Sequence, residues 1–173
     1  MINMENNSKK LIIIEILLGI AIVAIDLITK ALVDANIPLG SSIVVIEGVL
    51  NLTYVRNTGA AFSILNNQMT LFYIITPIAL VALGYILVKH HKDSKLQNFA
   101  LVVTIGGIIG NFYDRVVYQY VRDMIEVKFI EFPVWNVADM ALCVGVGMII
   151  LALVLEMIKE YKTNKENKKK QNG

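Results

Sequence analysis

Four long apolar runs dominate the hydrophobic pattern of this 173-residue chain. About 20 apolar residues are needed to cross a hydrocarbon core, so each run is long enough to form a membrane-spanning helix. The first run follows a basic leader, but it is too long for a cleaved signal segment and is interpreted as a retained helix. The pattern predicts an all-α membrane protein with four transmembrane helices, at about 11–33, 69–88, 99–117 and 136–158.

Residues 36–66, between the first two runs, have a different pattern. Gly40 favours a turn, and the stretches 43–46 and 49–55 are rich in β-branched residues, with partial alternation of apolar and polar positions. Such stretches are typical of strands. The segment is therefore predicted to form a small β-sheet at the membrane surface, followed by a sharp turn at 57–59.

The basic residues are distributed unevenly about the four runs. Eleven of the sixteen Lys and Arg residues lie on one side: two before the first run, three between the second and third, and six after the fourth. The positive-inside rule then places both termini in the cytoplasm and the β-rich segment outside. The lysine-rich segment 159–173 is predicted to be a disordered cytoplasmic tail, and residues 1–173 to form a single integral membrane domain.

Composition supports the membrane interpretation and excludes other classes. The chain is 56% hydrophobic and 17% charged, with a mean hydropathy of +0.62, which is too apolar for an ordinary soluble fold. The net charge of +2 is too small to indicate a nucleic-acid partner. The single cysteine, Cys143, excludes an intramolecular disulfide and any multi-cysteine metal site.

The polar residues of the predicted bundle converge at its outer end. Ionisable groups at a membrane boundary are costly, so they indicate a working site. With both termini inside, this level holds Asp26, Lys30, Asn57, Asn111, Asp114, Arg115, Asn136 and Asp139. The arrangement predicts a water-accessible pocket at the outer face, covered by the sheet.

Several of these residues also have structural interpretations. Asp26 and Lys30 are spaced i, i+4, as in an ion pair on a helix surface. Asn111, Asp114 and Arg115 share one helical face, which favours a buried Asp–Arg pair that orients its neighbours. These residues are therefore weaker candidates for direct catalysis.

Asp123 and Asp139 are the strongest candidates for chemistry. Asn136 can cap the fourth helix with Asp139 in its first turn, but Asp123 lies in an apolar setting without such a role. The connection between the third and fourth helices can bring the two carboxylates together. Two carboxylates in contact cannot easily both ionise, so one holds a proton while the other acts as base toward a water, as in aspartic peptidases.

Other classes compete with this hypothesis. A serine or lysine-assisted peptidase could use Ser63 and Lys30, although no local motif supports them. A metallopeptidase is disfavoured because His90 and His91 lack an HExxH arrangement. A small transporter or channel subunit could use the carboxylates as an ion or proton site. Its polar residues would extend through the bilayer depth, whereas here they cluster at one end.

Ordered sequence blocks also resemble the lipoprotein signal peptidases (signal peptidase II). Each block alone is weak, but their order and spacing on the four runs are specific. The blocks are DLITK at 26–30, NLTYVRNTGAAFSIL at 51–65, GNFYDRV at 110–116, VRDMI at 121–125 and WNVAD at 135–139.

The resemblance implies a membrane aspartic endopeptidase with Asp123 and Asp139 as its catalytic dyad and with no metal or cofactor. The substrate would be a bacterial prolipoprotein cut on the amino side of a diacylglyceryl-modified cysteine, at the outer face of the plasma membrane. A monomer in contact with membrane lipids is expected. The resemblance further implies that the pocket or substrate contacts involve Asn57, Gly59, Asn111, Asp114, Arg115 and Asn136, with Asp26 and Lys30 in support.

Four residues depart from the usual pattern of that family. Gln119 stands near a usual glycine, and Met124 and Trp135 replace usual phenylalanines. Arg122 replaces a small or apolar residue. Two hypotheses follow for Arg122: its guanidinium favours ionisation of the neighbouring Asp123, or it points outward to lipid phosphates.

Overall fold

The computed structural model describes residues 2–59, 68–91 and 94–171, with side chains described between Lys10 and Lys168. Within these ranges the chain forms four helices and three strands. In chain order they are α1 (Ile2–Asn36), β1 (Ser42–Ile46), β2 (Leu50–Asn57), α2 (Met69–Lys89), α3 (Lys95–Tyr118), β3 (Val121–Val127) and α4 (Val137–Gln171). Ser63 lies outside the described residues.

The helices are the membrane-crossing part of the fold. In the described ranges, four helical segments are long and apolar enough to span a bilayer: Lys10–Asn36, Met69–Lys89, Lys95–Tyr118 and Val137–Lys168. Half of the most apolar window of α3 is buried, against none of that of α2, so α3 is the central helix. The predicted fold class, four transmembrane helices with a small sheet, is confirmed. The orientation of the termini stays a prediction.

Two terminal segments differ from their predicted conformations. Helix α1 begins at Ile2, within the predicted leader, and α4 continues to Gln171. The prediction of a disordered tail is therefore wrong. Lys, Glu and Gln are good helix formers, and residues 159–171 contain no Pro or Gly that would end the helix on leaving its apolar part.

Glycines on α3 allow its neighbours to approach closely. A Cβ atom on Gly110 would lie 2.5 Å from Oδ2 of Asp26 in α1, and one on Gly107 would lie 2.5 Å from the carbonyl oxygen of Ala138 in α4. Gly106 and Gly110 form the small-xxx-small pair expected at such helix contacts. This close packing brings polar side chains of α1 and the start of α4 beside α3.

The sheet is antiparallel with strand order β1-β2-β3. Strands β1 and β2 correspond to the predicted strands, but β3 lies in the connection between the third and fourth helices, for which no strand was predicted. Both faces of β3 mix charged and apolar residues, so it lacks the alternation that marks a half-buried strand. Its pairing with β2 on one side and its bridge to Trp135 on the other specify it instead.

A small core attaches the sheet to the end of α1. Val33 and Ile37 of α1 pack with Tyr54 of β2 and Met124 of β3, and all four are at least 93% buried. Burial of large apolar side chains contributes about 1.5–3 kcal/mol each. The core thus fixes the height of β3, and with it Asp123, above the helices.

Candidate active site

Asp123 and Asp139 lie on either side of Asn136. Asp123, on β3, is 1% exposed, whereas Asp139, in the first turn of α4, is half-buried. The Nδ2 atom of Asn136 donates to Oδ1 of Asp123 at 2.6 Å, and its Oδ1 accepts from the backbone N–H of Asp139 at 2.9 Å. The connection from β3 to α4 thus brings the two carboxylates to one site.

The start of α4 determines the orientation of Asp139. Asn136 caps the helix, as the sequence predicts, and its own backbone N–H donates to Oδ2 of Asp139 at 3.2 Å. This reciprocal arrangement satisfies two N–H groups that a helix start would leave unpaired. Oδ1 of Asp139 accepts from Nδ2 of Asn111 at 2.7 Å, so both carboxylate oxygens are positioned.

Asp123 is held in a site that favours its protonated form. Burial, followed by the negative charge of Asp139, raises the pKa of Asp123 to about 7, because both disfavour the ionised carboxylate. Hydrogen bonds from Asn57, at 3.0 Å to Oδ2, and from Asn136 act in the opposite direction. Asp123 therefore keeps its proton at pH values where an exposed aspartate is ionised.

The turn after β2 is linked to α3. Oδ1 of Asn57 accepts from the backbone N–H of Gly59 at 2.9 Å, and the carbonyl oxygen of Gly59 accepts from Nη2 of Arg115 at 2.9 Å. The Arg115 guanidinium also lies 4.3 Å from the ring centroid of Phe72 in α2, a cation–π distance. These contacts hold Asn57 toward Asp123.

Asp26 and Lys30 of α1 support the site from below. The predicted i, i+4 pair forms, with Nζ and Oδ2 2.8 Å apart. It was expected on the helix surface, but both side chains are fully buried. Glycine packing encloses the pair, as described above. Lys30 Nζ also donates to Oδ1 of Asn111 at 2.9 Å, and Oδ1 of Asp26 accepts from the backbone N–H of Ala138 at 2.8 Å. Helix α1 thereby holds both the start of α4 and the amide that binds Asp139.

The predicted pairing of Asp114 with Arg115 is wrong. Asp114 binds Arg122, whose Nη2 lies 2.7 Å from Oδ1 and whose Nε lies 3.2 Å from Oδ2. Consecutive residues on a helix point about 100° apart, so Asp114 faces β3 while Arg115 faces Gly59. The hypothesis that Arg122 points outward to lipid phosphates is also wrong, because its side chain is 3% exposed. Its guanidinium binds Asp114, and alternation along β3 turns it away from Asp123, so it does not contact the neighbouring carboxylate.

Sequence reasoning missed two supporting contributions. Arg122 was treated as a departure, although a charged residue within VRDMI was the available signal. The backbone of Trp135 is the other: its carbonyl oxygen accepts from the N–H groups of Met124 at 2.9 Å and Ile125 at 2.7 Å. Backbone pairing leaves no mark in side-chain chemistry, so the sequence held no signal for it.

The histidines of the metallopeptidase alternative lie away from this site. Nε2 of His91 is 2.8 Å from Oε2 of Glu15, which lies on the first part of α1, more than two turns before Asp26. This pair is at the end of the bundle opposite the two aspartates.

Two carboxylates held by amide side chains at one end of a bundle of membrane-spanning helices define the class: a membrane-embedded peptidase of the aspartic type. The family model described as signal peptidase (SPase) II matches residues 18–155. The chain belongs to the signal peptidase II family.

Curated relatives and solved structures agree with this assignment. The chain is 42% identical over 147 residues to the lipoprotein signal peptidase of Enterococcus faecalis, covering 85% of this chain and 91% of the relative. It is 41% identical over 141 residues to that of Latilactobacillus sakei, covering 82% and 93%. A solved bacterial membrane enzyme superposes with a TM-score of 0.80 at 38% identity, covering 83% of this chain and 88% of that one. A second gives 0.75 at 39% identity, covering 80% and 91%.

Proposed function

We propose that Asp123 and Asp139 are the catalytic dyad with which this signal peptidase removes the signal peptide from bacterial prolipoproteins. The cut falls on the amino side of a cysteine that already carries diacylglycerol. The observation that carries the proposal is the bridge through Asn136, which links the buried carboxyl of Asp123 to the half-buried Asp139. Such unequal environments divide the roles of acid and base between two carboxyl groups.

The unequal burial supports a division of roles in the first steps. Asp139 takes a proton from a water, and the water oxygen bonds to the carbonyl carbon of the scissile peptide. Asp123 donates its proton to the carbonyl oxygen, which stabilises the tetrahedral intermediate. When the C–N bond breaks, the proton on Asp139 passes to the leaving amine, which belongs to the cysteine, and the hydroxyl proton returns to Asp123. The dyad ends with one proton, as it began.

The amide side chains hold this geometry without adding charge. Asn57 and Asn136 donate to Asp123, and Asn111 donates to Asp139. Preorganised donors of this kind need no rearrangement during the reaction. Asp114 is fully buried and supports the site, whereas Gly59 and Arg115 lie beside the turn that adjoins it and are the proposed substrate contacts.

The site is proposed to face the extracytoplasmic side of the plasma membrane, with both termini in the cytoplasm. The bias of basic residues supports this orientation. A lipid-anchored cysteine would hold the scissile bond near the interface, which raises the effective concentration of substrate at the dyad. The enzyme is proposed to act as a monomer surrounded by membrane lipids.

The substrate assignment is tested with one precursor prepared with and without diacylglycerol on its cysteine. We expect the lipid-modified form to be cleaved at least ~100-fold faster, since binding energy from the remote lipid contributes to the reaction. Mass spectrometry of the products should place the cut before the cysteine. Equal cleavage of both forms would reject the lipid-anchored substrate, and an enzyme carrying Asp139→Asn serves as the background control.

A further inference from the structure

Asp114 and Arg122 close the segment that links α3 to the catalytic strand. Oδ2 of Asp114 accepts from the backbone N–H of Arg122 at 3.0 Å and from its Nε at 3.2 Å, and Oδ1 accepts from its Nη2 at 2.7 Å. Asp114 is fully buried and Arg122 is 3% exposed. Charge-assisted, bidentate Arg–carboxylate pairs are among the strongest and most geometrically specific hydrogen bonds in proteins.

The enclosed segment contains a strained turn. Gln119 ends α3 with φ of +64°, and it is the one non-glycine residue with positive φ in the described part of the chain. A side chain is disfavoured in this left-handed conformation, which usually falls to glycine after a helix. The turn needs outside support, and two residues later the chain enters β3.

We propose that Arg122 is a positioning residue for the reaction. By binding Asp114 it holds the strained turn and the start of β3, so that Asp123, on the opposite face of the strand, reaches Asn57 and Asn136. Arg122 does not touch the dyad. This inference rests on the proposed function of Asp123.

Arg122 also balances the charge beneath the dyad. The buried ion-pair chain of Asp26, Lys30, Asp114 and Arg122 holds two carboxylates and two cations. Without the guanidinium, Asp114 keeps only Lys30, whose Nζ lies 3.5 Å away and is already shared with Asp26 and Asn111. The ion-pair chain would then hold two carboxylates and one cation, so the region beside the dyad would be more negative by one charge. The other charged groups near it are Arg115 of α3 and Asp34 of α1.

The test is the kinetics of Arg122→Met. We expect kcat to fall by about 10–100-fold with KM changed less than about 3-fold, because the loss is one of positioning near the reacting atoms. The limb of the pH profile that reports Asp123 should move to higher pH, since uncompensated negative charge nearby favours its protonated form. Arg122→Lys, which keeps the charge, should restore this limb and part of the rate.

Arg56→Met is the matched control. Arg56 lies opposite Arg122 in the β2–β3 register, but its guanidinium stacks on the rings of Tyr54 and Tyr120. The same charge is removed from the neighbouring strand, with loss of a 3.3 Å hydrogen bond to the Tyr54 hydroxyl but without breaking a buried ion pair. Because exposed charges contribute little, we expect kcat to change less than about 2-fold.

Gln119→Gly tests whether Arg122 acts through the turn. With the strain removed, Arg122→Met should cost only about 3–5-fold in kcat, since less support is then needed. An undiminished loss in the Gln119→Gly background would overturn this route. If Arg122→Met does not accumulate, Arg122→Lys and the double variant supply the same comparison.

The outcomes separate this inference from the proposed function. Wild-type kcat and pH profile for Arg122→Met, together with an inactive Asp123→Asn enzyme, would overturn the positioning role alone. A change confined to KM would overturn it as well, because it would place the effect on substrate binding. Cleavage by Asp123→Asn would instead remove the proposed function on which the inference rests.

Discussion

The two ends of the helix bundle differ in how their buried polar side chains are hydrogen-bonded. At the end that carries the proposed catalytic dyad, the buried polar side chains share their hydrogen bonds: Asn136 contacts both aspartates, and Lys30 contacts Asp26 and Asn111. At the opposite end, α1 meets the second residue after α2 through the Glu15–His91 pair. An apolar groove of about 950 Å³ between α1, α2 and α3 adjoins that pair.

The difference shows in how completely the carboxylates are bound. Each oxygen of Asp123 and of Asp139 accepts a hydrogen bond from the surrounding protein. Glu15 is 4% exposed, and its Oε1 has no hydrogen-bond partner among the described residues. Buried polar groups specify one conformation only when fully bound, so the positions of Asp123 and Asp139 are fixed more completely than that of Glu15.

The largest effect should come from the dyad itself. Asp123→Asn and Asp139→Asn keep the shape and the accepting oxygen but remove the acid or the base, so cleavage should fall by at least ~10³-fold. Cleavage of the lipid-modified precursor measures the loss, and thermal melting in detergent checks that each variant is folded. Substantial turnover by either folded variant would contradict the aspartic mechanism.

Lys30→Met should have the next largest effect. It leaves Asp26 and Asp114 with fewer buried cations and removes one hydrogen bond to Asn111, so we expect a loss of about 3–5 kcal/mol in stability and a clear fall in cleavage. Adding Asp26→Asn should recover part of the stability, because it removes one uncompensated charge. If the double variant were less stable than Lys30→Met, the ion pair would not be the reason for the loss.

The pH dependence tests the unequal dyad. Since the pKa of Asp123 is raised from 3.8 to about 7 in the folded protein, the stability it contributes is complete below pH 4 and is lost as the pH rises through about 7. The melting temperature should be at least about 5 °C lower at pH 8 than at pH 5, and activity should fall over the same range as the shared proton is lost. Asp123→Asn should reduce the stability difference.

The smallest effect is expected at the opposite end. Glu15→Gln keeps the volume of the side chain and can still bond to His91. Because the effects of changes at distant sites are usually independent, cleavage should change less than about 2-fold. The same cleavage assay measures it beside Lys30→Met. A loss as large as that of Lys30→Met would end the contrast between the two ends.

Much of the architecture could be read from local pattern. The length of the apolar runs predicts the helices, and β-branched alternation predicts β1 and β2. The cap at Asn136 was predictable because it depends on residues three apart. Asp123 and Asp139 stood out because charge is costly in apolar surroundings, a rule that needs no knowledge of contacts.

Other features could not be predicted because they depend on contacts between distant parts of the chain. Lys30 reaches Asn111 across 81 residues and Asp26 reaches Ala138 across 112, and no local spacing encodes either. For the same reason the partner of Asp114 proved to be Arg122 and not the adjacent Arg115.

By itself, the sequence determined the membrane-spanning helices and the two aspartates, because periodicity and the cost of buried charge act locally. The tertiary structure alone decided that β3 is a strand, that Asp26 and Lys30 are buried, and that burial and the charge of Asp139 raise the pKa of Asp123. Each of these depends on what surrounds a group in space: a partner strand, a glycine surface, or a second charge nearby.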